Sequence, residues 1–407
     1  MKKACILLVS SFVSLFSVSA QTEFETILSQ IHADSLKKTV EDLVAFDNRL
    51  CCATVGNNKK VAQYLIQRLQ NYGVENAAID SFFVSIGYHW LLNGGVNQYM
   101  YNVKGRLSGS VNPDSVVIIG AHLDAICYDS NYKIQSTTPG ANDNATGIAV
   151  MIEVARIFHA NNLTPIYSID FMAFDAEEIG LFGSKYDANK RKTANEKVYV
   201  MLNNDMVGLQ SEEEDEWKVV FHADADDVQN KAVSICSNYT LLHPYIPDNM
   251  DSSYRNSDSW AYRLMGFNTF YTHEYEDDPY YHSLSDKPQR MNYHYMTEIA
   301  KLHFSLLYDF AIESIIKNAS LNESALTSTF TIYPNPTTGQ LTVNKEQLTM
   351  ENTEYSIYSI VGQLVMRGRF PSRDAACHVP TTINVESLAK GMYFLRIGDK
   401  VVGFVKE

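Results

Sequence analysis

The chain has 407 residues and a formal net charge of −14, with 45% hydrophobic and 20% charged residues. That length is enough for two or three domains with a large buried core. The acidic balance argues against a nucleic-acid footprint, and beyond the N terminus no apolar run is long enough to cross a bilayer.

Residues 1–20 read as a secretory signal. Lys2 and Lys3 open it, an apolar run follows, and Val18-Ser19-Ala20 offers small residues for cleavage before Gln21. Cys51, Cys52, Cys127, Cys236 and Cys377 then remain, without a CxxC pair, so a cysteine zinc site is not expected. Residues 26–46 carry helical spacing of apolar side chains, as do residues 58–72, where Gly73 supplies a stop. Strands are expected over 99–107 and 115–120. A helix over 148–159 follows, capped by Asn144 or Thr146. Further strands are expected over 166–174, 198–202 and 269–272, and a closing helix over 292–319. Apolar strands alternating with helices predict an α/β fold, a mostly parallel mixed sheet with helices on both faces. Residues 318–328 turn small and polar, a linker. Residues 329–407 alternate apolar and polar positions, with turn signals at Asn335-Pro336, Thr338-Gly339 and Lys390-Gly391, and predict a small antiparallel β-sandwich.

Seven potential metal ligands and acid/base groups fall where the expected strands end: His122, Asp124, Asp143, Glu177, Glu178, Asp205 and His282. Ligands of open α/β sheets gather in the crevice outside the carboxyl ends of the strands. His122 is expected as a ligand, with Asp124 orienting its second ring nitrogen. Asp143 lies in the turn-rich run from Gly140 to Gly147, and its two oxygens could bridge two cations. A plain capped helix start is the simpler reading of that run. Neighbouring side chains diverge at Glu177 and Glu178, so one can bind metal while the other faces substrate as a general base. An isolated pair of this kind would more simply stabilise a helix N terminus. Asp205 adds an oxygen ligand and His282 a last imidazole. Of the acidic clusters, those over 212–216 and 224–227 read as solvated loops, while the one over 274–278 adjoins His282. Imidazoles and carboxylates suit zinc, and a pair of ions suits amide hydrolysis without a covalent intermediate. No nucleophile-elbow GxSxG and no phosphate-cradling glycine loop is present.

His122-Leu123-Asp124, the run 140–147 (GANDNATG), the run 175–184 (DAEEIGLFGS), the run 203–208 (NNDMVG) and the run 280–283 (YYHS) together resemble the co-catalytic zinc aminopeptidases of the bacterial leucyl type. Their wider superfamily includes glutaminyl cyclases and glutamate carboxypeptidase II. The resemblance covers roughly residues 30–315. It implies two zinc ions per chain, one on His122, Asp143 and Asp205 and the other on Asp143, Glu178 and His282. It further implies Glu177 as the general base, Tyr254 as a hydroxyl that steadies the developing oxyanion, and peptides as substrates. Around Tyr254 the match is looser, because Ser257-Asp258-Ser259 stands where relatives often carry SDH.

Residues 331–339 and 388–394 resemble the two ends of the C-terminal sorting domain of the type IX secretion system of Bacteroidetes-type bacteria. That resemblance implies a partner in the secretion machinery, with release or attachment at the outer-membrane surface. The domains are thus expected as a signal over 1–20, a catalytic domain over 21–317, a linker over 318–328 and a sorting domain over 329–407. A single-zinc glutaminyl cyclase is the alternative enzyme. A carboxypeptidase for acidic dipeptides would want basic residues such as Arg255 and Arg263 at the pocket, and an inactive binding module should have lost ligands.

Overall fold

The computed structural model describes residues 24–52, 57–211, 216–247, 252–313, 331–344, 354–359, 364–370, 381–397 and 400–407. The expected signal, the linker, Cys377 and most of the acidic run 212–216 lie outside them. Ser29–Ala160 and Tyr167–Ala311 form one compact unit; a second takes in Ile312–Glu407 with two short segments, Met1–Leu28 and Asn161–Ile166. Among the described residues no helix is long and apolar enough to cross a membrane.

The first unit is built on eight strands: β1 (Ala78–His89), β2 (Gly94–Leu107), β3 (Asn112–His122), β4 (Tyr167–Phe174), β5 (Lys197–Asn204), β6 (Trp217–Ala223), β7 (Leu242–Tyr245) and β8 (Thr269–Glu274). Their order in the sheet is β1-β2-β4-β3-β5-β8-β6-β7. The pairs β3–β4, β3–β5, β5–β8 and β6–β7 are parallel. The pairs β1–β2, β2–β4 and β6–β8 are antiparallel. The sheet is therefore mixed and parallel at its centre, as the sequence predicts. β3 comes first in the chain among the central strands yet sits between β4 and β5, so the strand order reverses beside it. Crevices of this kind hold ligands at the strand carboxyl ends.

Both faces are covered. On one, Val116 and Ile118 of β3 pack with Met172 and Phe174 of β4 and Met201 of β5, beneath Ala188 and Tyr262. Those last two come from α4 (Phe182–Thr193) and α5 (Asp258–Leu264). On the other, α3 (Thr146–Ala160) lies on β3 and packs against α1 (Ala33–Val44) and α6 (Tyr293–Tyr308). α3 is buried at twelve of its fifteen positions. A helix covered on nearly every side is held by its neighbours rather than by intrinsic propensity.

Two local expectations change. The helix expected over 26–46 breaks, and α1 starts only after His32. His32 is extended (φ −122, ψ 135), its amide donates to Glu153 Oε1 at 3.1 Å, and the Ser35 hydroxyl donates to Glu153 Oε2 at 2.5 Å. A buried carboxylate from α3 thus caps a new helix start. The strands β1, β6 and β7 were not anticipated. The helix α2 (Asn58–Asn71) ends before Gly73 at φ +79, as read from the sequence.

In the second unit, β9 (Thr331–Tyr333), β10 (Gln340–Asn344) and β13 (Thr381–Asn384) form one antiparallel sheet. β11 (Glu354–Ser359), β12 (Leu364–Arg369), β14 (Gly391–Ile397) and β15 (Lys400–Lys406) form another. Leu341, Val343 and Ile383 from the first pack with Ile357, Leu395, Ile397 and Phe404 from the second. This is the expected sandwich.

Candidate metal centre

His122 closes β3, Glu177 and Glu178 follow β4, and Asp205 follows β5. Asp143 comes from the loop between β3 and α3, and His282 from the loop after β8. The three turns after β4, β5 and β8 each hold a non-glycine residue in the left-handed region: Ala176 (φ 60), Met206 (φ 53) and His282 itself (φ 53). Such backbone is uncommon and clusters where function over-determines geometry.

These turns bring the ligand atoms together in two groups that share Asp143. His122 Nε2 lies 3.1 Å from Asp143 Oδ1 and 3.3 Å from Asp205 Oδ1. His282 Nε2 lies 3.0 Å from Asp143 Oδ2 and 2.9 Å from Glu178 Oε2. Within each group the donor atoms all lie within 4.8 Å of one another. Zinc bonds of about 2.0–2.1 Å at tetrahedral angles would set ligand atoms about 3.3 Å apart, so the donor set and its spacing fit zinc.

The electrostatics agree. Burial raises Glu178 to about 7, with the Asp143 charge adding to it. Burial likewise raises Asp258 and Asp286 to about 7 and Glu177 well above the carboxylate range. Burial opposes charge on His282, but Glu178 and Asp143 outweigh it and lift the imidazole to about 12. Acids pushed up beside imidazoles pulled up describe a pocket short of positive charge, which divalent cations would supply.

The supporting shell is dense. His122 Nδ1–H donates to the Asp124 carbonyl at 3.1 Å, with Asp124 Oδ1 at 3.6 Å. The Asp124 carboxylate accepts the amides of Glu177 (3.1 Å) and Glu178 (3.3 Å), so Asp124 sets the acidic turn with its side chain and the histidine with its backbone. Glu178 Oε1 accepts the Ile126 amide. Asp286 accepts the amides of Asn142 (2.8 Å) and Asp143 (3.2 Å). Glu274 and Asp278, from the acidic cluster beside His282, bind the Asn142 side chain at 2.7 and 3.0 Å. The Asn144 side chain accepts the Gly147 amide at 2.9 Å, the cap expected for α3.

Arg49 was not anticipated. It is fully buried, donates to the carbonyls of Leu123 and Pro139 at 3.1 Å and to that of Gly140, and so ties the two ligand loops together. Gly140 sits at φ +52, and a Cβ there would meet the Arg49 guanidinium at 2.6 Å. Tyr128 was missed too; its hydroxyl lies 3.2 Å from His282 Nδ1. Nothing periodic in the sequence marks either residue. Tyr281 stacks on the His282 ring at 3.6 Å. Partial burial, and then the charges of Asp143, Glu178, Glu177 and Asp205, push its phenol upward, so it remains an O–H donor.

Tyr254 is the one expected residue not brought to the cluster. Its hydroxyl bonds Thr269 Oγ1 at 2.8 Å and the Asp224 carboxylate at 3.3 Å. Thr269 lies three residues down β8 from Thr272, the partner of Asn204, or about 10 Å below the rim. The looser sequence match around Tyr254 reflects a packing residue: its ring stacks on His222 at 4.9 Å. Arg263 pairs with Asp224 in the same region and Arg255 lies over Trp260, so both arginines are accounted for without an acidic ligand.

The comparisons with known proteins accord with this geometry. The model of peptidase family M28 matches residues 102–307, half of the chain, and that of the secretion system C-terminal sorting domain matches residues 331–406. A probable zinc metalloprotease of Pyricularia oryzae is 28% identical over 47% of this chain, which spans only 39% of that protein's length. A probable leucine aminopeptidase of Arthroderma otae is 26% identical over 70% of this chain and 74% of its own. A crystal structure of a Legionella pneumophila aminopeptidase superposes with a TM-score of 0.59 at 21% identity, over 72% of this chain and 75% of that one, which speaks for the fold. With the ligand geometry and the family match in agreement over the same residues, this chain belongs to peptidase family M28, and a secretion-system C-terminal sorting domain follows its peptidase unit.

Proposed function

We propose that the chain is an exported aminopeptidase that holds two zinc ions and removes N-terminal residues from peptides. The observation that carries this reading is the Asp143 carboxylate, which offers one oxygen to each of two otherwise separate triads. His122, Asp143 and Asp205 would hold one ion, and Asp143, Glu178 and His282 the other. When bound, zinc supplies Lewis acidity, polarising the scissile carbonyl and acidifying the attacking water.

The protein's own groups do the rest. Glu177 is buried beside His122, Glu178 and Asp205, and burial raises its carboxyl well above the usual carboxylate range. Its carboxylate takes the proton of the attacking water and returns it to the leaving amine. Tyr281, not Tyr254, donates its hydroxyl to the oxyanion that develops on the carbonyl oxygen. Asp124 and Arg49 keep the two ligand loops in register. The surplus of carboxylates suits a substrate that brings its own ammonium group.

We take residues 1–20 as the export signal, 21–317 as the catalytic domain, 318–328 as the linker and 329–407 as the sorting domain that the type IX machinery reads. Release, or attachment at the outer-membrane surface, follows. The deciding experiment strips the purified chain with a chelator and titrates zinc back against leucinamide and a glutaminyl peptide. Hydrolysis of leucinamide that needs two equivalents supports the reading. Full recovery at one equivalent, with cyclisation of the glutaminyl peptide, installs the cyclase instead, and absence of divalent binding removes both.

A further inference from the structure

A chain of aromatic rings leaves the metal centre along a path the reaction does not require. It starts at His282, passes to Tyr128 (ring centroids 5.3 Å apart), then to Tyr132 (5.5 Å), and ends at Trp90 (5.9 Å), at the tip of the β1–β2 hairpin. Its outer members are open to solvent: Trp90 is 65% exposed and Tyr132 60%. Single exposed aromatic residues need no explanation, but a contiguous run that begins at a metal ligand does.

The run is also built. Leu91, beside Trp90, is buried with Leu50 and Ile126, and Tyr128 and Ile134 pack against the same cluster. Tyr128 and Ile134 pair as a β-bridge, and the Asp129 side chain accepts the amides of Asn131 (2.9 Å) and Lys133 (3.0 Å). That turn holds Tyr132 at φ 58. A bulky side chain in the left-handed region is a backbone outlier, sustained only where the surroundings over-determine it. The fold thus holds a strained turn while leaving its largest side chain in water, an arrangement packing does not call for.

We propose that Trp90 and Tyr132 line the subsite for the substrate chain beyond the scissile bond, and that they select peptides with aromatic or long apolar residues in the positions just after the N-terminal one. This rests on the aminopeptidase reading. An enzyme that cuts after the first residue has nothing upstream of it, so a surface of this length can serve only the downstream side. Extended chain advances about 3.3 Å per residue, so each ring-to-ring step spans more than one residue and the whole run outreaches any single side chain. Edge-to-face rings present both faces and edges to an incoming aromatic group, at little cost in side-chain entropy.

The test compares leucinamide, which ends at the scissile amide, with Leu-Gly-Gly-Gly and Leu-Phe-Tyr-Gly in the zinc-loaded full chain. The wild type should show a kcat/KM about tenfold higher on Leu-Phe-Tyr-Gly than on Leu-Gly-Gly-Gly, the scale of one well-stacked ring pair. Trp90→Ala and Tyr132→Asn should each erode that preference while leaving leucinamide within about twofold of the wild type. Asn tolerates the left-handed turn, so Tyr132→Asn removes the ring without unfolding the loop. Equal rates on the two tetrapeptides, or variants that slow all three substrates alike, overturn the subsite. Failure of the wild type to cleave leucinamide or either tetrapeptide sinks the aminopeptidase reading itself, a separate result.

Discussion

Asp124 reaches from the end of β3 to the turn after β4, where its Oδ1 accepts the Glu177 amide at 3.1 Å. One residue therefore holds the His122 ring through its carbonyl and the turn that carries Glu177 through its carboxylate. Replacing Asp124 with Asn puts an NH2 group where at least one of two acceptors is needed. Zinc affinity should fall about 10–100-fold, the usual cost of losing an outer-shell carboxylate. Competition against a chromophoric chelator reads this directly, and affinity equal to the wild type would mean that Asp124 does not hold the site.

Glu177→Gln keeps the shape of the side chain and removes its basicity. The ligand groups do not include Glu177. Elemental analysis should find zinc unchanged, while kcat on leucinamide drops about 10²–10⁴-fold. Turnover close to that of the wild type would reassign the base.

The two tyrosines separate by the same logic. Tyr281→Phe should lower kcat about 10²–10³-fold with KM nearly constant, as expected for a donor to developing charge. Tyr254→Phe breaks a bond to Thr269 and should reduce stability by about 0.5–1.5 kcal/mol with kcat nearly intact. The opposite pattern would return the oxyanion role to Tyr254.

His303 gives a pH signature. Burial alone lowers its imidazole to about 3, with Nε2 at 3.0 Å from the Thr272 hydroxyl. Unfolded, it titrates near ~6.5. Between those values the unfolded chain takes up a proton that the folded one refuses. Its contribution is thus intact above about pH 6.5 and is lost as pH falls toward 3, by about 1.4 kcal/mol per unit. Urea unfolding of zinc-saturated His303→Gln should give a curve of stability against pH that is flatter than the wild type between about 6.5 and 4.5. Parallel curves would remove His303 from the account.

The central strands were legible because β3, β4 and β5 are buried on both faces and read as apolar runs, so their ends, and the ligands placed there, could be located in order. β1 was not, because it is an edge strand with much of its length exposed, including Phe83 and Tyr88, and its pattern is diluted. Arg49 and Tyr128 act from loops, where no period marks a residue's direction. Tyr254 shows a different limit: sequence placed it near a familiar motif, but not at which depth of β8 its hydroxyl would land. Asp124 was anticipated as partner to His122, whereas its hold on the Glu177 turn depends on β3 and β4 lying side by side in parallel, which only the pairing reveals.

The donors to the centre come from stretches running from His122 to His282, and Asp143 completes both triads. No stretch shorter than that from His122 to His282 carries every donor of the two triads. The proposed cradle therefore exists only once β3, β4, β5 and β8 lie side by side, and a chain that has not finished folding offers a metal only fragments of it.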